Sequence, residues 1–490
     1  MAPIDALDNR PWWRMLNGYQ WFVFSLAALG WMFDTMDGQI FFASRVDAMK
    51  TLMPDVAFDV QTKYGGYVTT LFILGWATGG LIFGTIGDKF GRAKTMAMTI
   101  FVYSIFTGLS GIAHNWQEFG LYRFLTGVGV GGEFAAGASL VAEVMPERAR
   151  ASALGMLQAL SAVGNVIGIG LLSVITPRWG WQGLYFAGAF PALMAVFVQL
   201  RLKEPEKWVA ARKAADAAIK AGAKSTLGRI SELFTNPKLR RNTFVGLALG
   251  ISGILGLWSV GYYSPELINN SFAVVSPESR VAFDGIAAAT TPEEQLAKIA
   301  ALNPADSKQY VNFVSNRFPK SAAVPAAAAL TTTLNAPQQE RLRGLLSNSF
   351  TQKEMIAFRS KGLLLQQLGG FTGMLLFGML AVRIGRRATF AISFLLAYLS
   401  VFAAFMFFYR PEQVWYIFPF LGLGTMAPLS GYSIYFPELF PTRLRTTGTG
   451  FCYNVGRYIA AVGPTALGGL SAGLQGQYET SGFRLAAIIF

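Results

Sequence analysis

GTIGDKFGRAK, residues 84–94, joins two apolar runs and sets four charges into eleven residues. About 294 positions later the chain repeats itself as GMLAVRIGRRA, residues 378–388,. Gly84 falls on Gly378, Lys89 on Arg383, Gly91 on Gly385 and Arg92 on Arg386, whereas Asp88 falls on Val382. A second element recurs at nearly the same offset. EVMPERAR, residues 143–150, aligns with ELFPTRLR, residues 438–445, so that Glu143 matches Glu438, Arg148 matches Arg443 and Arg150 matches Arg445. Two matches at one long offset indicate a chain made of two parallel, related halves.

Composition says what surrounds those halves. Of 490 residues, 53% are hydrophobic and 14% charged, with a mean hydropathy of +0.40. A soluble domain carries roughly 25% charged residues. Apolar runs of ~20 residues, long enough to cross a bilayer as helices, lie at about 20–42, 66–86, 95–112, 119–141, 151–174, 183–200, 243–267, 363–382, 389–408, 414–435 and 446–467. A twelfth run begins near Arg484 and is incomplete. The fold class is an all-α polytopic membrane protein of two six-helix bundles: residues 1–200 and 243–490, joined by a linker at 201–242. The first run lacks a cleavage site and reads as an anchor rather than a leader.

Arg10 and Arg14, the charges of 84–94, Arg148 and Arg150, Arg383 and Arg386, and Arg443 and Arg445 all fall on one side if every run crosses. That side is expected to be cytoplasmic, with the N-terminus there. The net charge of +14 follows from this bias and argues for no nucleic-acid partner. One Cys and one His leave no disulfide framework and no His/Cys metal site. No P-loop, cofactor motif or nucleophile–base cluster is visible, so an enzyme is not expected. The linker reads as an amphipathic, solvated connection. Residues 269–361 are too long for an ordinary loop and read as a helical insert on the external side. Thr291-Pro292-Glu293-Glu294 is a helix start within it, with further helices expected at 306–317, 336–346 and 351–359.

The motifs resemble the major facilitator superfamily over nearly all of the chain. GTIGDKFGRAK looks like its signature between helices two and three, and Arg123-Phe-Leu-Thr-Gly-Val-Gly-Val-Gly-Gly-Glu133 like its helix-four signature. KEPEKW (203–208), Tyr262-Tyr-Ser-Pro265 and PELFPTRLR (437–445) are similar to the sugar-porter branch and to organic-acid symporters. Helix seven lacks the Gln pair of sugar porters. Phe451-Cys-Tyr-Asn-Val-Gly-Arg457 instead resembles proton-coupled carboxylate symporters. The resemblance implies two bundles rocking around a central site in a bacterial inner membrane. A monomer is expected, with a small-molecule substrate, protons and the lipid bilayer as partners and no cofactor.

Five ionisable residues lie deep in apolar runs, where charge is costly and marks function. Asp34 stands ~21 Å along its span and Arg123 ~6 Å down from the opposite end of its own, which puts both at similar depth. Their pairing, matching the sugar-porter Asp and Arg, makes Asp34 the expected proton carrier. A fixed structural pair is the alternative. Asp37, one turn on, and Glu133, nearer the cytoplasm, are further proton-coupling candidates. Arg457 lies ~16 Å in, near the midplane, where it either clamps a substrate carboxylate or pairs with a buried acid. Tyr453, Asn454, Gln158, Asn165, Gln366, Gln367, Tyr262, Trp258 and Tyr432 are the candidate polar and aromatic neighbours. Gly84, Asp88, Lys89, Gly91, Arg92, Glu143, Arg148, Arg150, Arg383, Arg386, Glu438, Arg443 and Arg445 are expected to form a cytoplasmic gate. The glycines 127, 129, 131 and 132 are expected to serve close helix packing, not a nucleotide. The functional expectation is proton-coupled symport of a small organic anion or acidic sugar. A neutral sugar or polyol porter, a uniporter, and a membrane sensor using the insert are the alternatives.

Overall fold

The computed structural model describes residues 11–55, 58–190, 201–221, 227–260, 264–272, 275, 277–289, 291–304, 306–307, 310–311, 346, 348–460, 470 and 482–489. Regular structure among them is helical: α1 Gly18–Leu52, α2 Phe58–Phe90, α3 Arg92–Ser110, α4 Trp116–Val144, α5 Glu147–Gly188, α6 Glu206–Lys220, α7 Glu232–Thr235, α8 Pro237–Val260, α9 Ser264–Ser271, α10 Pro277–Ala287, α11 Pro292–Ala300, α12 Gln352–Arg383, α13 Arg386–Phe407, α14 Val414–Leu439, α15 Arg445–Ala460 and α16 Gly482–Ile489. Six of them are long and apolar enough to cross a membrane. α5 is interrupted at Gly180, whose φ is 64°. The run expected at 183–200 is described only to residue 190.

Helix ends follow their local sequence. Asn17 accepts the Gln20 N–H at 2.9 Å while Gln20 accepts the Asn17 N–H at 3.0 Å, a reciprocal cap that starts α1,. Asn115 accepts the Glu118 N–H at 2.8 Å and starts α4,. The two signature copies share a turn. Gly91 (φ 116°) precedes α3 and Gly385 (φ 84°) precedes α13. A side chain disfavours that left-handed region, so the repeated glycine is a requirement of the backbone.

The described residues gather into two compact units. One takes 1–255, 370–394 and 426–461; the other takes 256–369, 395–425 and 462–490. In the first, α2 and α4 approach at backbone distance. A Cβ on Gly79 would meet the Val128 carbonyl at 1.9 Å, and one on Gly131 would meet that of Trp76 at 1.9 Å. The glycine run of α4 is therefore a helix-packing surface. α15 packs along α2 and α4 in the same unit.

The second unit has its own apolar core of Leu267, Ile268, Phe272, Phe405, Phe408, Phe418, Ala486 and Ala487. Buried Arg484 of α16 donates to the carbonyls of Phe405 and Phe408, at 2.7 and 2.8 Å, and to Ser271 Oγ at 2.8 Å. It thereby satisfies acceptors at the end of α13. Thr291 Oγ1 caps α11 by accepting the Glu294 N–H at 3.2 Å. Arg280 of α10 pairs with Glu354 at 2.6 Å. That contact raises the Arg280 pKa above its ordinary value.

Two expectations are corrected here. The helix at 351–359 is not a separate element of the insert but the first turns of α12, because no breaker follows Thr351 and its charged residues merely lower the local hydropathy. The linker is not simply solvated. Trp208 Nε1 of α6 donates to the Asp88 carbonyl at 2.8 Å, and Arg212 Nη1 to the Lys89 carbonyl at 2.5 Å. Most of the helices expected at 306–317 and 336–346 lies outside the described residues.

Candidate functional site

α1 carries Asp34 and Asp37 about one turn apart on one face, and α4 carries Arg123 and Glu133. All four are buried. The partner of Arg123 is Asp37, at 3.2 Å, and not Asp34 as expected from the sequence. Asp34 and Asp37 lie three residues apart on α1, so a depth counted along the span does not separate them, and only the packing of α3 and α4 against α1 selects Asp37. Arg123 is saturated. Its Nε donates to Ser110 Oγ at 3.0 Å, and its Nη2 to Thr107 Oγ1 at 3.1 Å and Thr126 Oγ1 at 2.9 Å. The guanidinium lies 4.9 Å from the Tyr185 ring centre and 5.7 Å from that of Phe41, within cation–π range. Thr107 also donates to Asp37 Oδ1 at 2.7 Å. Asp34 instead lies one turn after Gly30, against which Glu133 is seated, so that a Cβ on Gly30 would meet Glu133 Oε1 at 1.8 Å.

Arg457 is the second buried centre. Its guanidinium lies 4.3 Å from the ring centres of Trp76 (α2) and Tyr453 (α15). Nη1 donates to Asn454 Oδ1 at 2.6 Å and to the Tyr453 carbonyl at 3.2 Å. Asn454 is seated against Gly80, where a Cβ would meet its Nδ2 at 1.9 Å. The amide is thereby fixed and orients the guanidinium. Tyr453 stacks on Phe134 at 3.9 Å, and Phe134 contacts Trp31 at 5.0 Å. An aromatic path thus joins the Arg457 centre to α1 and α4. Such a centre can hold a carboxylate by two parallel bonds while flanking rings contact its apolar body.

The other candidates divide. Gln158 is buried and its Oε1 meets no donor among the described residues. Tyr432 donates its hydroxyl to the Leu249 carbonyl at 2.7 Å and stacks on Phe436 at 5.0 Å, which makes it a packing residue here. Asn165 is half-buried in α5. Gln366 and Gln367 belong to the second unit, where Gln366 accepts from Ser264 Oγ at 2.8 Å. Tyr262 and the side chain of Trp258 lie outside the described residues. Sequence reasoning missed Trp76, Thr107, Ser110 and Thr126. Their signal was a lone Trp in a small-residue stretch, and hydroxyls spaced three apart on apolar helices.

The signature loops form a third cluster. Asp88 accepts the N–H of Thr446 at 3.2 Å and of Thr447 at 2.8 Å, and pairs with Arg92 at 2.9 Å. An anion thus caps the N-terminus of α15. Glu143 Oε1 bridges Arg92 and Arg445, each at 3.1 Å. Arg92 Nη1 also donates to the Gly87 carbonyl at 2.9 Å. The second copy repeats the design: Arg386 pairs with Glu438 at 2.7 Å and donates to the Ala381 carbonyl at 3.2 Å. Val382, where the first copy has Asp88, is half exposed. Arg443 pairs with Glu232 of α7. Glu204 accepts the N–H groups of Arg92, Ala93 and Lys94 at 2.7, 3.3 and 3.1 Å, capping α3. Gly84 approaches Thr446, whose carbonyl a Cβ would meet at 3.0 Å. Lys89, Arg148 and Arg383 are exposed and Arg150 is half-buried.

The family described as Major Facilitator Superfamily matches residues 15–285. A Haemophilus influenzae protein named for metabolite transport is 27% identical, over 97% of this chain and 94% of its own length. The cis,cis-muconate transport protein of Acinetobacter baylyi is 26% identical, over 85% and 80%. The xylose transporter XylE from E. coli shares the fold, with a TM-score of 0.54 at 13% identity over 96% of this chain and 95% of its own.

Proposed function

The chain belongs to the Major Facilitator Superfamily, and from that premise we propose that it moves a small organic anion or acidic sugar together with a proton by alternating access. It is a multi-pass membrane transporter, not an enzyme. The observation that carries the anion reading is Arg457, buried between Trp76 and Tyr453 and oriented by Asn454. A guanidinium held this way presents a fixed fork to a carboxylate, and the rings suit a planar or apolar body. A relative named for a dicarboxylate supports the same class.

In this reading the bundles are residues 1–200 and 243–490, with the linker at 201–242 and the insert at 269–361. The signature loops face the cytoplasm, the N-terminus lies with them, and the protein works as a monomer in a bacterial inner membrane. Asp34, Asp37, Arg123 and Glu133 are the ionisable residues available for proton coupling. Asp88, Arg92, Glu143 and Arg445, joined in one buried ion-pair cluster, are the residues that would latch the cytoplasmic side.

The test is uptake into proteoliposomes under an inward proton gradient. The panel is cis,cis-muconate with aromatic and sugar monocarboxylates, and xylose is the neutral control. Wild-type protein accumulates at least one carboxylate, and Arg457→Ala abolishes that accumulation. Uptake of xylose alone, or unchanged carboxylate uptake in Arg457→Ala, overturns the anion reading.

A further inference from the structure

We propose that Asp34 and Glu133 form a carboxyl–carboxylate dyad that holds one shared proton, and that this dyad is the proton site of the transport cycle. The second clause rests on the symport reading above; the first does not.

The geometry separates the four buried residues into two kinds. Asp37 has Arg123 and the Thr107 hydroxyl on its oxygens. Its negative charge is balanced and its acceptors are filled. Protonating it would strand Arg123, so this pair is a fixed strut. Asp34 and Glu133 are the reverse. None of their four carboxyl oxygens has a donor from any other described residue. They come from different helices, Asp34 from α1 and Glu133 from α4, and Glu133 is seated against α1 one turn from Asp34. Glu133 sits in a notch prepared for it. Gly30, one turn before Asp34 on α1, leaves room where a Cβ would meet Glu133 Oε1 at 1.8 Å.

Two ionised carboxylates in contact without hydration repel strongly, and a single proton between them converts that repulsion into a charge-assisted hydrogen bond. The ionisable groups around the dyad do not supply a cation in its place. Asp37 stands beside it on α1, and the buried Tyr103 hydroxyl of α3 faces it. Arg123 of α4 is committed to Asp37. Arg457 and Tyr453 of α15 stand beyond Phe134, with Tyr453 stacked on that ring.

The dyad is also placed to sense the anion centre. Phe134 follows Glu133 directly and stacks on Tyr453 at 3.9 Å, and Tyr453 lies under the Arg457 guanidinium. Trp31, on the turn before Asp34, contacts the same Phe134 ring. A carboxylate that displaced Tyr453 would move the ring next to Glu133, and so change the separation on which the shared proton depends. The balance is one proton gained by the dyad outside and lost inside for each turnover.

The experiment uses full-length protein reconstituted in lipid. Infrared difference spectra at neutral pH, in H2O and D2O, read the C=O stretch of protonated carboxyl groups. Wild type shows a protonated-carboxyl component, and the double variant Asp34→Asn/Glu133→Gln lacks it. A component that survives the double variant unchanged overturns the dyad. This arm needs no substrate. In the second arm the carboxylate panel is offered with and without a proton gradient. The single variants Asp34→Asn and Glu133→Gln keep exchange of a carboxylate across the membrane but lose accumulation driven by the gradient. Gradient-driven accumulation that persists in both singles overturns the dyad as the coupling site and leaves the symport reading standing. A wild type that shows the infrared component but moves no carboxylate with the gradient overturns the symport reading instead, and with it the coupling role, while the shared proton stands.

Discussion

Replacing Asp88 by Asn should shift the protein towards a state open at the signature loops. The carboxylate accepts two backbone N–H groups at the start of α15, at 2.8 and 3.2 Å, and pairs with Arg92. An amide of the same shape keeps one acceptor oxygen and loses the charge. A hydrogen bond to a charged group contributes about 1.5–3 kcal/mol, and a neutral one about half that. Two charged bonds therefore become one neutral bond. Arg92 retains Glu143 and the Gly87 carbonyl, which limits its share of the loss. The net loss is about 2–4.5 kcal/mol. If these contacts form only in the closed state, the open-to-closed ratio rises by about 30- to 2,000-fold. Alkylation reads this out. In a Cys452→Ser background, Ser430→Cys places a thiol at a buried position where a Cβ on Gly155 would meet the Ser430 hydroxyl at 3.1 Å. Its labelling by a membrane-impermeant maleimide from the signature-loop side should accelerate by a factor of that order in Asp88→Asn, with carboxylate binding kept. An unchanged labelling rate in a well-folded Asp88→Asn variant would refute the latch.

Asp37→Asn leaves the buried Arg123 charge without its counter-ion, so thermal unfolding in detergent should reveal a loss of about 3 kcal/mol; a melting temperature equal to wild type would show that the pair is not a strut. Gly131→Ala forces a Cβ to within 1.9 Å of the Trp76 carbonyl. It should lower the melting temperature by an amount corresponding to at least about 1–3 kcal/mol, whereas Gly38→Ala, which meets nothing within 4 Å, serves as the silent control.

Much of the architecture could be read from residues because membrane crossing is a local requirement. A span must be apolar over ~20 residues, and its flanking basic residues stay on one side. Position-specific backbone needs were equally visible. Gly91, repeated as Gly385, adopts positive φ in both copies of the signature, and Thr291 caps α11 as its local sequence predicts. The linker was less legible. Nothing in the order of residues says that Trp208 reaches the Asp88 carbonyl or that Glu204 caps α3 from more than a hundred positions away.

Taken alone, the sequence determined the class of molecule, the duplication, and the small set of charges that the membrane would have to accommodate. Those properties depend on composition, period and repeat, which the chain carries locally. Which charge meets which was decided only by tertiary structure. Asp34 and Asp37 share a face of α1, and a shift of one turn exchanges their partners. The hydroxyls of α3 hold Asp37 and Arg123 together, and the notch at Gly30 seats Glu133 one turn from Asp34.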